Sequence, residues 1–167
     1  IKKSTSKVAE LAREVVASPD LLESNSWLFT KEAQNAYRLG RGLAEINAEE
    51  ALLKRIIDLQ KVADKEFGDN SSILLLSGYI AALQASKPDS WQKALDMIAA
   101  DDELVHWYAE LVWRSSLDDH NANIVLELIK KDKVKFTDLN LFRLGGMVKN
   151  ISEKTLNSWI EYLLGRN

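Results

Sequence analysis

Two histidines, His106 and His120, and no cysteine bound the chemistry open to these 167 residues. Without a thiol there is no cysteine nucleophile, no thiolate metal site and no disulfide. Glu103 and His106 stand three apart, the Glu-x-x-His spacing that places both side chains on one face of a helix in di-metal bundles. Such a site takes a second copy of the motif and two further glutamates, and His120, which follows Asp118 and Asp119, has no carboxylate at the matching offset. Asp101, Asp102 and Glu103 have an ordinary explanation as acids in a first helical turn, where they offset the positive end of the helix dipole. A serine nucleophile would need His106 or His120 as its base, and no serine sits on a strand-to-helix elbow. Gly40-Arg41-Gly42 is the nearest approach to a phosphate loop. It lies inside a helical pattern, where small residues suit the close approach of a neighbouring helix better than a bound phosphate. No catalytic, cofactor-binding or metal-ligating residue follows from these patterns, and no cofactor is expected.

Chemistry of recognition is better represented. Of five tryptophans, Trp91, Trp107, Trp113 and Trp159 fall on expected helices. In the helix expected over Leu104 to Ser116, the residues Leu104, Trp107, Tyr108, Leu111 and Val112 form a sufficient core stripe at three-and-four spacing. His106, Glu110, Trp113 and Arg114 fall outside that stripe, and aromatic and arginine side chains are the types that anchor protein interfaces. These four are the candidate partner-binding residues. Lys130, Lys131, Lys133 and Lys135 form a basic patch at the end of another expected helix, where cations offset the negative end of the dipole. No aromatic residues interleave with them, which argues against single-stranded nucleic acid.

The elements that must position these side chains read as helices throughout. Apolar residues make up 46% and charged residues 28% of the chain, with a net charge of −3, the balance of a soluble globular domain with no electrostatic pull toward nucleic acid or an anionic membrane. No apolar run is long enough to span a bilayer and no signal segment is present, so a cytoplasmic location is expected. The chain opens on Ile1-Lys2-Lys3 rather than on methionine, which predicts a segment of a longer polypeptide. Pro19 and Pro88, the two prolines, both stand where helices should begin. Apolar residues recur three and four apart with no period-two alternation, predicting a single all-α domain over 1–167.

The expected helices run from about Ser6 to Ala17 with a turn around Leu21 and Leu22, and from Thr30, as N-cap behind Trp27-Leu28-Phe29, to Ala44. The next runs from Asn47 to Gly68 with a stripe of Ala51, Leu52, Ile56, Leu59, Val62 and Ala63. Another, from Asn70 or Ser71 to Ser86, is apolar nearly all round and should be the most buried. From Pro88 on, Ala94, Met97 and Ile98 are matched by Val125, Leu128 and Ile129 and again by Leu156, Trp159 and Ile160, each time after 31 residues. Leu104 to Ser116 and Thr137 to Lys149 should be the alternating helices. Pairs at fixed spacing point to an α-solenoid-like stack of antiparallel helix pairs over 70–167; the alternative is an irregular helical bundle.

The runs Leu76 to Tyr79, Leu111 to Leu117, Val125 to Ile129 and Phe142 to Gly146 resemble helical-repeat segments in the C-terminal parts of large bacterial multidomain proteins, among them STAND-type signalling NTPases. The resemblance implies a scaffold or sensor region with nucleotide chemistry elsewhere, and it carries over no functional residue. The resulting expectation is a non-catalytic scaffold or protein-interaction module, with a protein or another domain of the same chain as partner. The alternative is a regulatory domain controlling an NTPase in the same polypeptide; an enzyme in its own right is the third reading.

Overall fold

The computed structural model describes residues 2–143 and 146–165, with side chains from Lys7 onward. Among these residues the structure is all α. They form eight α-helices, α1 (Lys2–Ala17), α2 (Ala36–Ile46), α3 (Glu50–Phe67), α4 (Leu74–Ser86), α5 (Pro88–Ala99), α6 (Tyr108–Ser115), α7 (Asp119–Lys130) and α8 (Glu153–Leu164), with 3-10 segments in the connections that follow α1, α3, α5 and α7. The chain divides into two compact units, Ile1–Ala94 and Leu95–Asn167.

In the first unit α2 packs on α4 and α1 packs on α2. Leu75, Leu76, Tyr79, Ile80 and Leu83 of α4 are all buried, as its apolar circumference requires. The helices α2 and α4 meet backbone to backbone. A Cβ built on Gly40 would overlap the Leu75 carbonyl oxygen, and one built on Gly78 would overlap the carbonyl oxygen of Tyr37. Gly40 thus serves helix packing. Gly42 is less constrained, since its Cβ would stand 3.3 Å from the Ala12 Cβ. The link between α2 and α3 is held from α4: the Tyr79 hydroxyl donates to the Asn47 carbonyl at 2.8 Å and the Lys87 ammonium to that of Ala48 at 3.0 Å. Burial, aided by the Glu49 carboxylate, pushes the Tyr79 pKa up to about 12.

Two expectations fail in this unit. Thr30 does not cap a helix; its backbone is extended and bridges to Ser71, its hydroxyl donates to the Trp27 carbonyl at 2.8 Å, and α2 begins only at Ala36. Two long-range bonds, Lys31 N–H to Asn70 at 3.0 Å and Ser72 N–H to Phe29 at 2.8 Å, outweigh the local cap and bury Leu28 and Phe29. The stripe of α3 is also rotated. Leu52, Ile56 and Ala63 are buried as expected, but Leu53, Ile57 and Gln60 join them, while Ala51 and Val62 are exposed and Leu59 is half-buried. Gln60 is tolerated inside because its amide donates to Asp64 at 2.8 Å and to Ser71 at 3.1 Å.

In the second unit α6 packs on the 3-10 segment Phe136–Arg143, and α7 touches both α6 and α8. Polar anchors set this geometry. The Tyr108 hydroxyl donates to buried Asn121 at 2.7 Å, and Asp118 caps α7 by accepting the Asn121 N–H at 2.8 Å. The Trp159 indole N–H donates to the Ala122 carbonyl at 3.1 Å, and Phe142 meets Trp159 edge-on at 5.4 Å. Asp119 accepts the Ser152 N–H at 2.7 Å, at the start of α8.

Two helices of this unit differ from their expected spans. The helix expected over Leu104–Ser116 starts at Tyr108, behind a 3-10 turn at Val105–Trp107. No α-helix forms over the described part of Thr137–Lys149; instead there are the 3-10 segments Phe136–Arg143 and Met147–Asn150. Gly146, between them, has φ of +67°, a left-handed conformation that ends a helix. Leu144 and Gly145 lie outside the described residues. The 31-residue frame is kept at Ala94, Ile98, Val125, Leu128, Ile129 and Trp159, all buried, whereas Met97 and Ile160 are exposed.

Candidate interaction surface

The residues singled out lie on α6 and on the 3-10 turn that leads into it. Leu104, Tyr108, Leu111 and Val112 are fully buried, together with Val105 and Ala109, and Trp107 is half-buried. The opposite side carries the remaining side chains. The Arg114 Nε–H donates to Glu110 Oε1 at 2.8 Å, and the Arg114 guanidinium lies over the Trp113 ring, 4.9 Å from its centroid. Trp113 is half-buried, and the Arg114 and Glu110 side chains are 27% and 25% exposed. An arginine stacked on tryptophan and tied to a carboxylate presents a planar cation over an apolar face with little rotamer freedom left to lose. His106 lies in the preceding 3-10 turn, exposed, its ring 5.0 Å from that of Trp107. Arg114 therefore touches both Glu110 and Trp113, and His106 sits a turn away.

The structure adds Asp138, which sequence reasoning missed. It belongs to the 3-10 segment packed on α6, and burial raises its carboxyl pKa; the Lys135 backbone and charge oppose that shift, the Glu110 charge adds to it and His106 opposes it. No periodic pattern marks this residue, because the segment carrying it is not an α-helix.

Elsewhere the expected chemistry disperses. Glu103 lies in a turn and His106 in a 3-10 segment, so they do not share an α-helical face. Among the described residues no three of His, Asp and Glu gather as metal ligands. The basic patch is partly neutralised: Lys130 pairs with Glu127 at 2.8 Å and Lys133 with Asp102 at 2.7 Å. Pairing with Glu127 leaves Lys130 a weaker attraction for a phosphate. A shallow groove lies between the end of α5 and α7, floored by Ala99, Ala100, Ile124 and Leu128, with His120 and Asp96 3.3 Å apart at its rim. No helix among the described residues is long and apolar enough to cross a membrane. Set against known proteins, the chain matches no family model, no curated sequence and no solved structure.

Proposed function

We propose that this chain is a non-catalytic helical scaffold whose α6 surface binds a protein partner. The observation that carries this reading is the arrangement of Trp113, Arg114 and Glu110: a stacked, ion-paired aromatic and cation on a helix whose core is already filled by Leu104, Tyr108, Leu111 and Val112. Buried stems with their polar heads held in place reduce the entropy lost when a partner seats on them. The neighbour relations of the second unit, α6 against Phe136–Arg143 and α7 against α8, support a stack of paired segments of the solenoid kind, whose surface is suited to reading another chain.

The test combines partner capture with substitution. Glu110→Ala with Arg114→Ala should leave the thermal midpoint nearly unchanged, because an i,i+4 pair contributes only about 0.3–0.5 kcal/mol. The same double variant should lose a partner retained by the wild-type chain at least tenfold, as should Trp113→Ala. Undiminished retention of the partner by the folded double variant would move the site off α6.

A further inference from the structure

We propose that the groove between α3 and the 3-10 segments Pro19–Leu21 and Glu23–Phe29 is a docking site for a basic amphipathic helix of a partner protein. α3 carries more apolar side chains than its core uses. Its inner face buries Leu53, Ile57 and even Gln60, whereas Val62 is 57% exposed, Ala51 is exposed and Leu59 is half-buried. Ala51, Leu59 and Val62 lie on one side of the helix, opposite Gln60, and make a second apolar row. Two adjoining hollows of about 380 and 250 Å³ share Glu23, Leu59 and Val62 and reach from Ala51 to Glu66, about 22 Å along the helix axis. Leu22 and Phe29, across from α3, complete the floor. Arg55 ties the two walls together: its Nε–H donates to Glu23 at 2.7 Å and its guanidinium also pairs with Asp20. A groove held open in this way loses little freedom when it is filled.

Backbone chemistry and charge select the occupant. Both walls are helical, with their backbone groups bonded internally, so an extended peptide would find no strand edge to pair with. A helix brings its own backbone bonds and lays side chains three and four apart on the apolar floor, and about fifteen residues match the groove in length. The carboxylates Asp20, Glu23, Asp58 and Glu66 stand against two cations, Lys54 and Arg55, and Arg55 is already held by Asp20 and Glu23. The more enclosed hollow has Glu23, Ser26 and Glu66 as its polar lining, two carboxylates and a hydroxyl above Phe29 and Val62. A lysine or arginine can lay its methylene stem on that floor and place its charged head beside the carboxylates. An acidic helix would be repelled by the same groups.

The probe is a dye-labelled peptide of that length made of leucine and lysine, with its leucines at three-and-four spacing, followed by fluorescence anisotropy at physiological salt. It is expected to bind in the micromolar range, and a leucine–glutamate peptide of the same pattern at least tenfold more weakly. Val62→Asp separates docking from a general attraction of a basic peptide for an acidic protein. The added carboxylate would strengthen a general attraction, whereas seating on the groove floor should weaken about tenfold. Ile46→Asp, the same change at another exposed apolar position of this unit, should shift binding by no more than about twofold. Glu66→Gln, at an exposed site that folding does not depend on, should weaken binding roughly fivefold. Absence of binding, equal binding of the two peptides, or affinity that Val62→Asp and Glu66→Gln leave unchanged overturns the proposal. The site is independent of the α6 surface, so Trp113→Ala should leave this affinity as it is; a loss there would assign the peptide to α6 and overturn the α3 groove alone.

Discussion

The crossing of α2 with α4 and the seating of α8 on α7 are two solutions to helix packing. In the first, Gly40 and Gly78 remove the side chain from the contact, and backbone lies against backbone. In the second, the space between helices is filled by Trp159 and Phe142, and orientation is set by single hydrogen bonds from Trp159 to Ala122 and from Ser152 to Asp119. Close approach maximises dispersion contacts but tolerates no added atom, because the neighbouring carbonyl cannot move without breaking its own helix. A side-chain-filled contact yields by rotamer changes, and its specificity rests on buried polar groups that must stay satisfied.

That contrast can be broken most directly at the glycines. Gly40→Ala or Gly78→Ala should cost about 3 kcal/mol or more by overpacking, measured by urea unfolding. Gly42→Ala, two residues from Gly40, should fall within about 1 kcal/mol of wild type, since its Cβ meets only another Cβ and alanine favours the helix. Equal effects at Gly40 and Gly42 would mean that the two helices do not meet at their backbones. In the second unit Tyr108→Phe should cost about 1–2 kcal/mol by removing the hydroxyl's hydrogen bond to buried Asn121, an effect smaller than the glycine clash. A smaller change of opposite sign is expected at Asp132, which holds a left-handed φ of +55° just after α7. Asp132→Gly should raise stability by about 0.5–1 kcal/mol, read as a higher urea midpoint with unchanged slope.

The smallest effect is acid-dependent. Hydrogen bonds from Thr155 and Ser152 hold the Asp119 carboxyl below its ordinary range. A carboxyl depressed in the folded state contributes stability above its unfolded pKa of about 3.9, and that contribution is lost as pH falls from there through the lower folded value. Asp119→Asn should therefore flatten the acid limb of the stability curve below about pH 4, while leaving the contacts of the first unit intact. An unchanged acid limb would show that the contact between α7 and α8 stands without this clamp.

Much of the helix content was legible because amphipathic spacing, the Pro88 start and the Gly68 stop are local signals. The buried α4 and the burial of Leu104, Tyr108, Leu111 and Val112 follow from three-and-four spacing, whereas the burial of Val105 and Ala109 and the half-exposure of Trp107 do not. Thr30 has the local signature of a cap, but the choice between capping a helix and bridging to Ser71 depends on a residue 41 positions away. The stripe of α3 was misjudged for a related reason: Gln60 is admissible inside only where Asp64 and Ser71 meet its amide, and no periodicity reveals a partner. Asp138 stayed hidden because Phe136–Arg143 folds as a 3-10 segment, with no α-helical period to point it at Glu110.

Propensity and apolar spacing act within a few turns of chain, so the all-α class and most of the helical faces are set locally. Which of those faces are covered depends on packing between distant segments. Gly40 became a point of backbone contact because Leu75 lies across from it, and Ile160 stayed open while Ile129 was buried. Both outcomes depend on burial against distant segments, whose free energy is summed over the folded chain and cannot be assigned to any local window of it.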